Sequence, residues 1–217
     1  MNSNTNISTQ RQLFVINGFP GSGKTTFGTL VGEELERHNV HFLHTSSIDP
    51  IKHVLMPRSK WNPSIINPSL WDTIDECKRV ITDQDWDGMT KDVYWRGVMS
   101  AMKQKLNDTI PTLVQDYIFR QVASILTPAV VFVDIREPEN IDALKDYVLT
   151  MNNPFPVAAV LIESDVMAQF DNSSDARVLE YSYDVVIDNR RSSGGTLEKL
   201  RQQVRTFCLE EVLSIKT

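Results

Sequence analysis

Eight consecutive residues constrain this chain more than any others. Gly18-Phe19-Pro20-Gly21-Ser22-Gly23-Lys24-Thr25 fits the pattern G-x-x-x-x-G-K-[ST] at every fixed position. The string sits between two readable elements. Leu13 to Asn17 is a short apolar run with β-branched residues and reads as a buried strand. Phe27, Leu30, Val31 and Leu35 follow at helical spacing on one face. A strand, a glycine-rich turn and a helix in that order make a phosphate cradle. Glycines let successive N–H groups turn inward, and the helix adds its positive N-terminal end. Gly18, Pro20, Gly21, Ser22, Gly23, Lys24, Thr25 and Thr26 are therefore the expected nucleotide-binding residues. Lys24 reaches the outer phosphates and the Thr25 hydroxyl is a ligand for Mg²⁺.

The rest of the chain supplies the other strands. His41 to Thr45, Ala129 to Asp134, Val157 to Ile162 and Asp184 to Asp188 read as strands, and Thr196 to Leu213 as a last helix. Short apolar strands alternating with amphipathic helices predict an α/β fold with a parallel sheet. More than 80 residues separate the second strand from the third. That stretch begins with Pro50, Pro57, Pro63 and Pro68 and reads as irregular there. It then turns helical, over about 91–107 and 111–126, and it holds all four tryptophans, Trp61, Trp71, Trp86 and Trp95. We read it as a helical insertion at about 50–127 within a single domain of residues 11–217, preceded by a disordered tail at 1–10.

Asp134 ends the strongest strand, where an acid can hold a metal with its water shell. Asp49 and Glu163 are weaker rivals. His38, His41, His44 and His53 cluster, but the odd spacing of His41 and His44 on a strand puts them on opposite faces. No cysteine completes a zinc set, so no metal site is expected there. Arg190 and Arg191 follow the fifth strand.

Composition excludes several classes. The formal charge is 22 − 28 = −6 over 217 residues, which argues against coating nucleic acid by bulk charge. Two distant cysteines, Cys77 and Cys208, point to a reducing compartment and a cytoplasmic location. No apolar run approaches the ~18–20 residues needed to cross a bilayer. No Asn-Lys-x-Asp string, expected of a GTPase switch, is present.

Several further strings carry a family resemblance. They are Asn17 to Thr26 (NGFPGSGKTT), Ser46 to Lys52 (SSIDPIK), Trp86 to Asp92 (WDGMTKD), Asp134 to Glu139 (DIREPE) and Tyr183 to Asn189 (YDVVIDN), with Gly195-Thr196-Leu197 beyond. In these the chain resembles the P-loop nucleoside- and nucleotide-kinase-like proteins, including phage deoxynucleoside monophosphate kinases and related bacterial ATP-binding proteins. The resemblance implies a three-layer P-loop fold with five parallel strands in the order 2-3-1-4-5. It implies ATP and Mg²⁺ as cofactors, with Thr25 and Asp134 toward the metal, and a nucleotide-like acceptor. By that analogy Asp49, Lys52, Lys91, Arg96 and Arg136 are acceptor-side candidates. Lys24, Asp49, Arg136 and Arg177 are the candidate catalytic residues, with Asp49 as base for a hydroxyl acceptor. Bland readings stand beside them: Asp92 and Arg96 are spaced for a surface ion pair, and Lys52 and Lys91 for solvated charges.

The chain departs from the family twice. Met56 to Asp85 is longer than expected, and the presumed lid after strand four reads Leu161-Ile162-Glu163-Ser164-Asp165, with no arginine before Arg177. Three functions follow: transfer from ATP to a (deoxy)nucleoside monophosphate, transfer to a hydroxyl of a nucleoside or of DNA, or a nucleotide-dependent binding module with weak hydrolysis and a protein partner.

Overall fold

The computed structural model describes residues 11–152, 154–165 and 177–213. The predicted tail at 1–10 and most of the presumed lid lie outside them. The chain divides into two compact units, Met1–Thr45 with Ile125–Thr217, and Ser46–Ser124.

The first unit is built on a five-stranded parallel sheet in the order β2-β3-β1-β4-β5. Its strands are β1 (Arg11–Asn17), β2 (His41–Ser46), β3 (Ala129–Asp134), β4 (Val157–Glu163) and β5 (Val185–Asp188). The central strand β1 pairs with β3 from Arg11↔Ala129 to Ile16↔Asp134, and with β4 from Leu13↔Val157 to Asn17↔Leu161. Alternate residues of each strand face opposite sides, and in β1, β3 and β4 both sides are largely buried, which is why those strands read as unbroken apolar runs. On one side Phe14, Ile16, Val130, Phe132, Val160 and Ile162 pack with Phe27, Leu30, Val31 and Leu35 of α1 (Lys24–Glu36). Leu200, Val204 and Phe207 of α7 (Leu197–Phe207) close the same cluster. Its centre is aromatic: the Phe27 and Phe132 rings stack at 5.9 Å, and Phe207 meets Phe14 edge-on at 5.0 Å. On the other side α6 (Pro138–Leu149) buries Ile141, Leu144 and Val148 and packs against β4. The predicted sheet order and layers are therefore those observed. The predicted last helix ends differently, with a π-helical turn at Cys208–Val212 after α7.

The second unit is helical. It comprises α2 (Asp49–Leu55), α3 (Trp71–Ile81), α4 (Val93–Thr109) and α5 (Leu113–Ala123). The sequence predicts irregular chain where α2 and α3 stand, because four prolines fall there. Pro50 instead occupies the first turn of α2, where its missing N–H has no helical partner to lose. Pro68 opens a short 3₁₀ turn ahead of α3 in the same way. Trp61 and Trp86 are core residues, with Val98, Met99, Met102 and Leu106 of α4 buried in the same unit. Each indole donates to a carbonyl, Trp61 to Met56 (3.2 Å) and Trp86 to Thr90 (2.7 Å). Lys78 is buried and reaches the Met56 carbonyl and the Asp85 carboxylate.

No described helix is long and apolar enough to cross a membrane.

His53 is the sole histidine of the helical unit. Its Nε2 accepts a hydrogen bond from the Asn62 N–H at 2.8 Å, which only the neutral ring can do, and burial lowers its pKa. A pKa below the unfolded value means stability that is full above about 6.5 and is lost as pH falls through the folded value. All four tryptophans lie in this unit, so tryptophan fluorescence reports its unfolding. The urea midpoint read this way should drop between pH 7.5 and pH 5.5, and His53→Gln should flatten that drop. A midpoint independent of pH in the wild type would contradict the half-buried neutral ring.

Candidate phosphate-binding site

The site begins where β1 ends. Open parallel sheets bind ligands at the carboxyl ends of their strands, and Asn17, Asp134, Glu163 and Asp188 terminate β1, β3, β4 and β5. The loop Gly18–Gly23 leaves β1 with φ +145° at Gly18, +77° at Gly21 and +98° at Gly23. At Gly18 a Cβ would lie 2.6 Å from the Ile162 carbonyl oxygen, and at Gly23 it would lie 2.6 Å from Asn189 Nδ2. Glycine is required at both by conformation and by space.

Two asparagines brace this loop. Fully buried Asn17 accepts the Gly18 N–H (2.8 Å) and donates to the Arg136 carbonyl (3.1 Å), tying the loop to the chain beyond β3. Asn189, just past β5, donates to the Ser22 carbonyl at 2.8 Å. Neither was singled out from the sequence as a site residue. The available signal was an amide residue directly after an apolar strand.

The donor set fits a nucleotide's phosphates. Helix α1 has Gly23 at its N-cap and no side-chain cap, so its leading amides keep their capacity for an anion. The Ser22 Oγ is buried and has no hydrogen-bond partner. Lys24 Nζ donates to the carbonyls of Gly18 (2.6 Å) and Phe19 (3.0 Å), which keeps its charge at the loop. The set also fits Mg²⁺, a hard cation that takes oxygen ligands. Thr25 offers an exposed hydroxyl in the first turn of α1, and Asp134 a carboxylate at the end of β3. No group of three or more His, Cys, Asp or Glu able to hold a metal occurs among the described residues. A cation here would therefore draw further ligands from phosphate and water, as Mg²⁺ commonly does.

Beside the loop lies a cavity of about 480 Å³. Its lining includes Gly21, Thr26, Ser164, Arg191, Thr196 and Leu197. One wall is the turn from β5 to α7, which is braced by charge. Asp188 accepts from Arg190 Nε (2.9 Å) and Lys199 Nζ (3.3 Å), and the Arg190 bond holds its carboxyl below the ordinary range. Asp165 accepts from the Ser192 N–H (2.6 Å) and Oγ–H (2.7 Å), which lowers its pKa as well. The two neighbouring arginines thus differ. Arg190 is spent on Asp188, whereas Arg191 lines the cavity.

The remaining candidates fall in both units. In the helical unit Asp49 accepts the Ser46 N–H (2.7 Å) and pairs with Lys52 (2.6 Å). Asp92 caps α4 by accepting the Trp95 N–H (2.8 Å), and Arg96 Nε donates to the Lys91 carbonyl (3.0 Å). Their spacing suits an ion pair, but capping takes the carboxylate first. In the sheet unit Arg136 follows β3 by two residues. Arg177 forks onto the carboxylate of Glu139, at 2.9 and 3.2 Å, and bonds Glu180 at 2.9 Å.

The sheet order and the loop define a three-layer P-loop α/β fold. No protein-family model matches the chain, and no curated protein matches it. Among solved structures it is similar to APE1195, at 11% identity over 95% of this chain and 99% of that one, with a TM-score of 0.44. A ParA family ATPase from Chlorobium tepidum TLS matches at 12% identity over 95% and 96%, with a TM-score of 0.33. Neither likeness adds to what the sheet and the loop define.

Gly23→Ala should cost about 1–3 kcal/mol of stability in the sheet unit, the range for a non-glycine residue held at such φ. Adding Asn189→Ala should recover only the steric part. Chemical denaturation followed by circular dichroism would check both, and full recovery would show that φ contributes nothing.

Proposed function

We propose that this chain is an ATP-dependent phosphotransferase of the nucleoside monophosphate kinase type, acting in the cytoplasm. The observation that carries the reading is the phosphate loop itself. A glycine-built cradle, an uncapped helix N-terminus and Lys24 converge at the end of β1, with the Asp134 carboxylate on the neighbouring strand. A cavity of about 480 Å³ adjoins them.

On this reading the loop amides and Lys24 hold the β- and γ-phosphates and offset charge as the γ-phosphoryl group moves in line to the acceptor. Mg²⁺, held through Thr25 and Asp134, would supply further charge neutralisation at the same oxygens. A monophosphate acceptor is already ionised and needs no base. Asp49, Lys52, Lys91, Arg96 and Arg136 are the proposed acceptor-side groups, and their basic members suit an anionic acceptor. The free, buried thiols of Cys77 and Cys208 agree with a reducing compartment.

A second reading is favoured by Arg177. As a lid residue it would have to leave Glu139 and Glu180 to reach a phosphate. A nucleotide-dependent binding module with weak hydrolysis and a protein partner needs no such rearrangement.

Incubation with labelled ATP and a panel of nucleoside monophosphates distinguishes them. Transfer to at least one member is expected, and Lys24→Ala should reduce it by at least about a hundredfold. Intact ATP binding without transfer to any member would overturn the kinase reading in favour of the module.

A further inference from the structure

Asp134 is not alone at the end of β3. His44 of β2 places Nε2 3.1 Å from Asp134 Oδ1. A carboxylate has no proton to give, so the imidazole N–H donates. The ring is held from several directions. Phe132 meets it edge-on at 6.0 Å and 83°, and Phe42 lies 6.4 Å away. Helix α1 supplies the last side through a gap in its own surface. A Cβ at Gly28 would lie 2.5 Å from His44 Nδ1, and a Cβ at Gly32 would lie 2.8 Å from the Phe42 ring. Gly28 and Gly32 are one turn apart on the same face of α1. Phe42 and His44 are two apart on β2 and so share a face of the sheet. The two glycines thus seat two rings side by side.

Packing alone does not account for an imidazole in the second seat. The first seat holds a phenylalanine, and a second one would fill this space with more apolar area. What histidine adds is the N–H aimed at Asp134. That bond contributes little to stability, because the side chains are 22% and 29% exposed and water screens the pair. Its consequence is orientation of the carboxylate.

We propose that His44 is a positioning residue for Asp134. Seated against α1, it fixes the plane of the carboxylate that faces the nucleotide's cation. The same helix carries Lys24 and Thr25 at its start, so one rigid element would set both halves of the cation site. This rests on the reading of Asp134 as the acid that holds Mg²⁺.

The test is ATP affinity by calorimetry, with excess Mg²⁺ and with EDTA, so that no turnover is needed. The ratio of the two dissociation constants isolates the metal's contribution. His44→Phe should shrink that ratio by about tenfold or more, as loss of a partner to a metal ligand does. Its affinity in EDTA should stay at the wild-type value. His44→Gln, which keeps a donor, should restore part of the ratio. In an Asp134→Asn background His44→Phe should change nothing further. An unchanged ratio in His44→Phe, beside a ratio abolished by Asp134→Asn, would overturn the role of His44 alone. Equal losses with and without Mg²⁺ would mark His44 as structural. A wild-type ratio of one would overturn the reading of Asp134 and this inference with it.

Discussion

The structure depends on one turn of backbone that must stay curled with its amides inward. Its conformation is held from outside by contacts that leave no room for side chains. The Ile162 carbonyl closes over Gly18 and the Asn189 amide over Gly23, while Asn17 and Asn189 bond the loop at its two ends. These contacts come from β1, from β4 and from the chain after β5. The loop is therefore as well placed as the sheet register that aligns those strand ends, Asn17↔Leu161 and Glu163↔Asp188. The aromatic cluster under α1 contributes to the candidate phosphate site through this chain of dependence. Phe27 and Phe132 stack beneath the helix whose N-terminus the loop feeds.

Parallel strands bring their carboxyl ends to one edge, and here that edge is acidic. Asp134, Glu163 and Asp188 end three of the strands in a chain whose net charge is already −6. An anion can bind there only if those charges are answered locally. Asp188 is met by Arg190 and Lys199, Glu163 lies 3.6 Å from Arg190, and Asp134 is met by His44. Arg190 and Lys199 thus serve the scaffold, while Arg191 lines the cavity. The positive field left for phosphate comes from Lys24 and the amides of α1.

How much of this was legible in the sequence follows from what each feature is made of. The sheet was legible because a strand buried on both faces must be apolar throughout, as Ala129 to Val133 is. The phosphate loop was legible because backbone recognition demands glycine at fixed steps, and glycine is visible as a letter. The later helices of the insertion, α4 and α5, were legible from their periodicity, whereas α2 and α3 were obscured by the prolines around them. Pro50 starts a helix as well as it would break one, and only its position in the turn decides. Asp92 and Arg96 are spaced for an ion pair, yet an N-cap position claims the carboxylate for a backbone amide.

Side-chain partners across the fold had no comparable signal. Arg190 and Arg191 are the same residue type one step apart, and their difference is made by Asp188 being within reach of only the first. His44 appeared as one of four clustered histidines, a grouping in sequence that the fold disperses. His53 takes a backbone proton in the helical unit, while His44 gives one to Asp134 in the sheet unit. The Gly28 and Gly32 pair on α1 was the one trace of that second arrangement in the sequence. A glycine inside a helix costs about 1 kcal/mol relative to alanine. Two of them, one turn apart on a face that meets an edge strand, imply large side chains on that strand in close approach. Phe42 and His44 are those side chains, and only the second of them carries a proton to give.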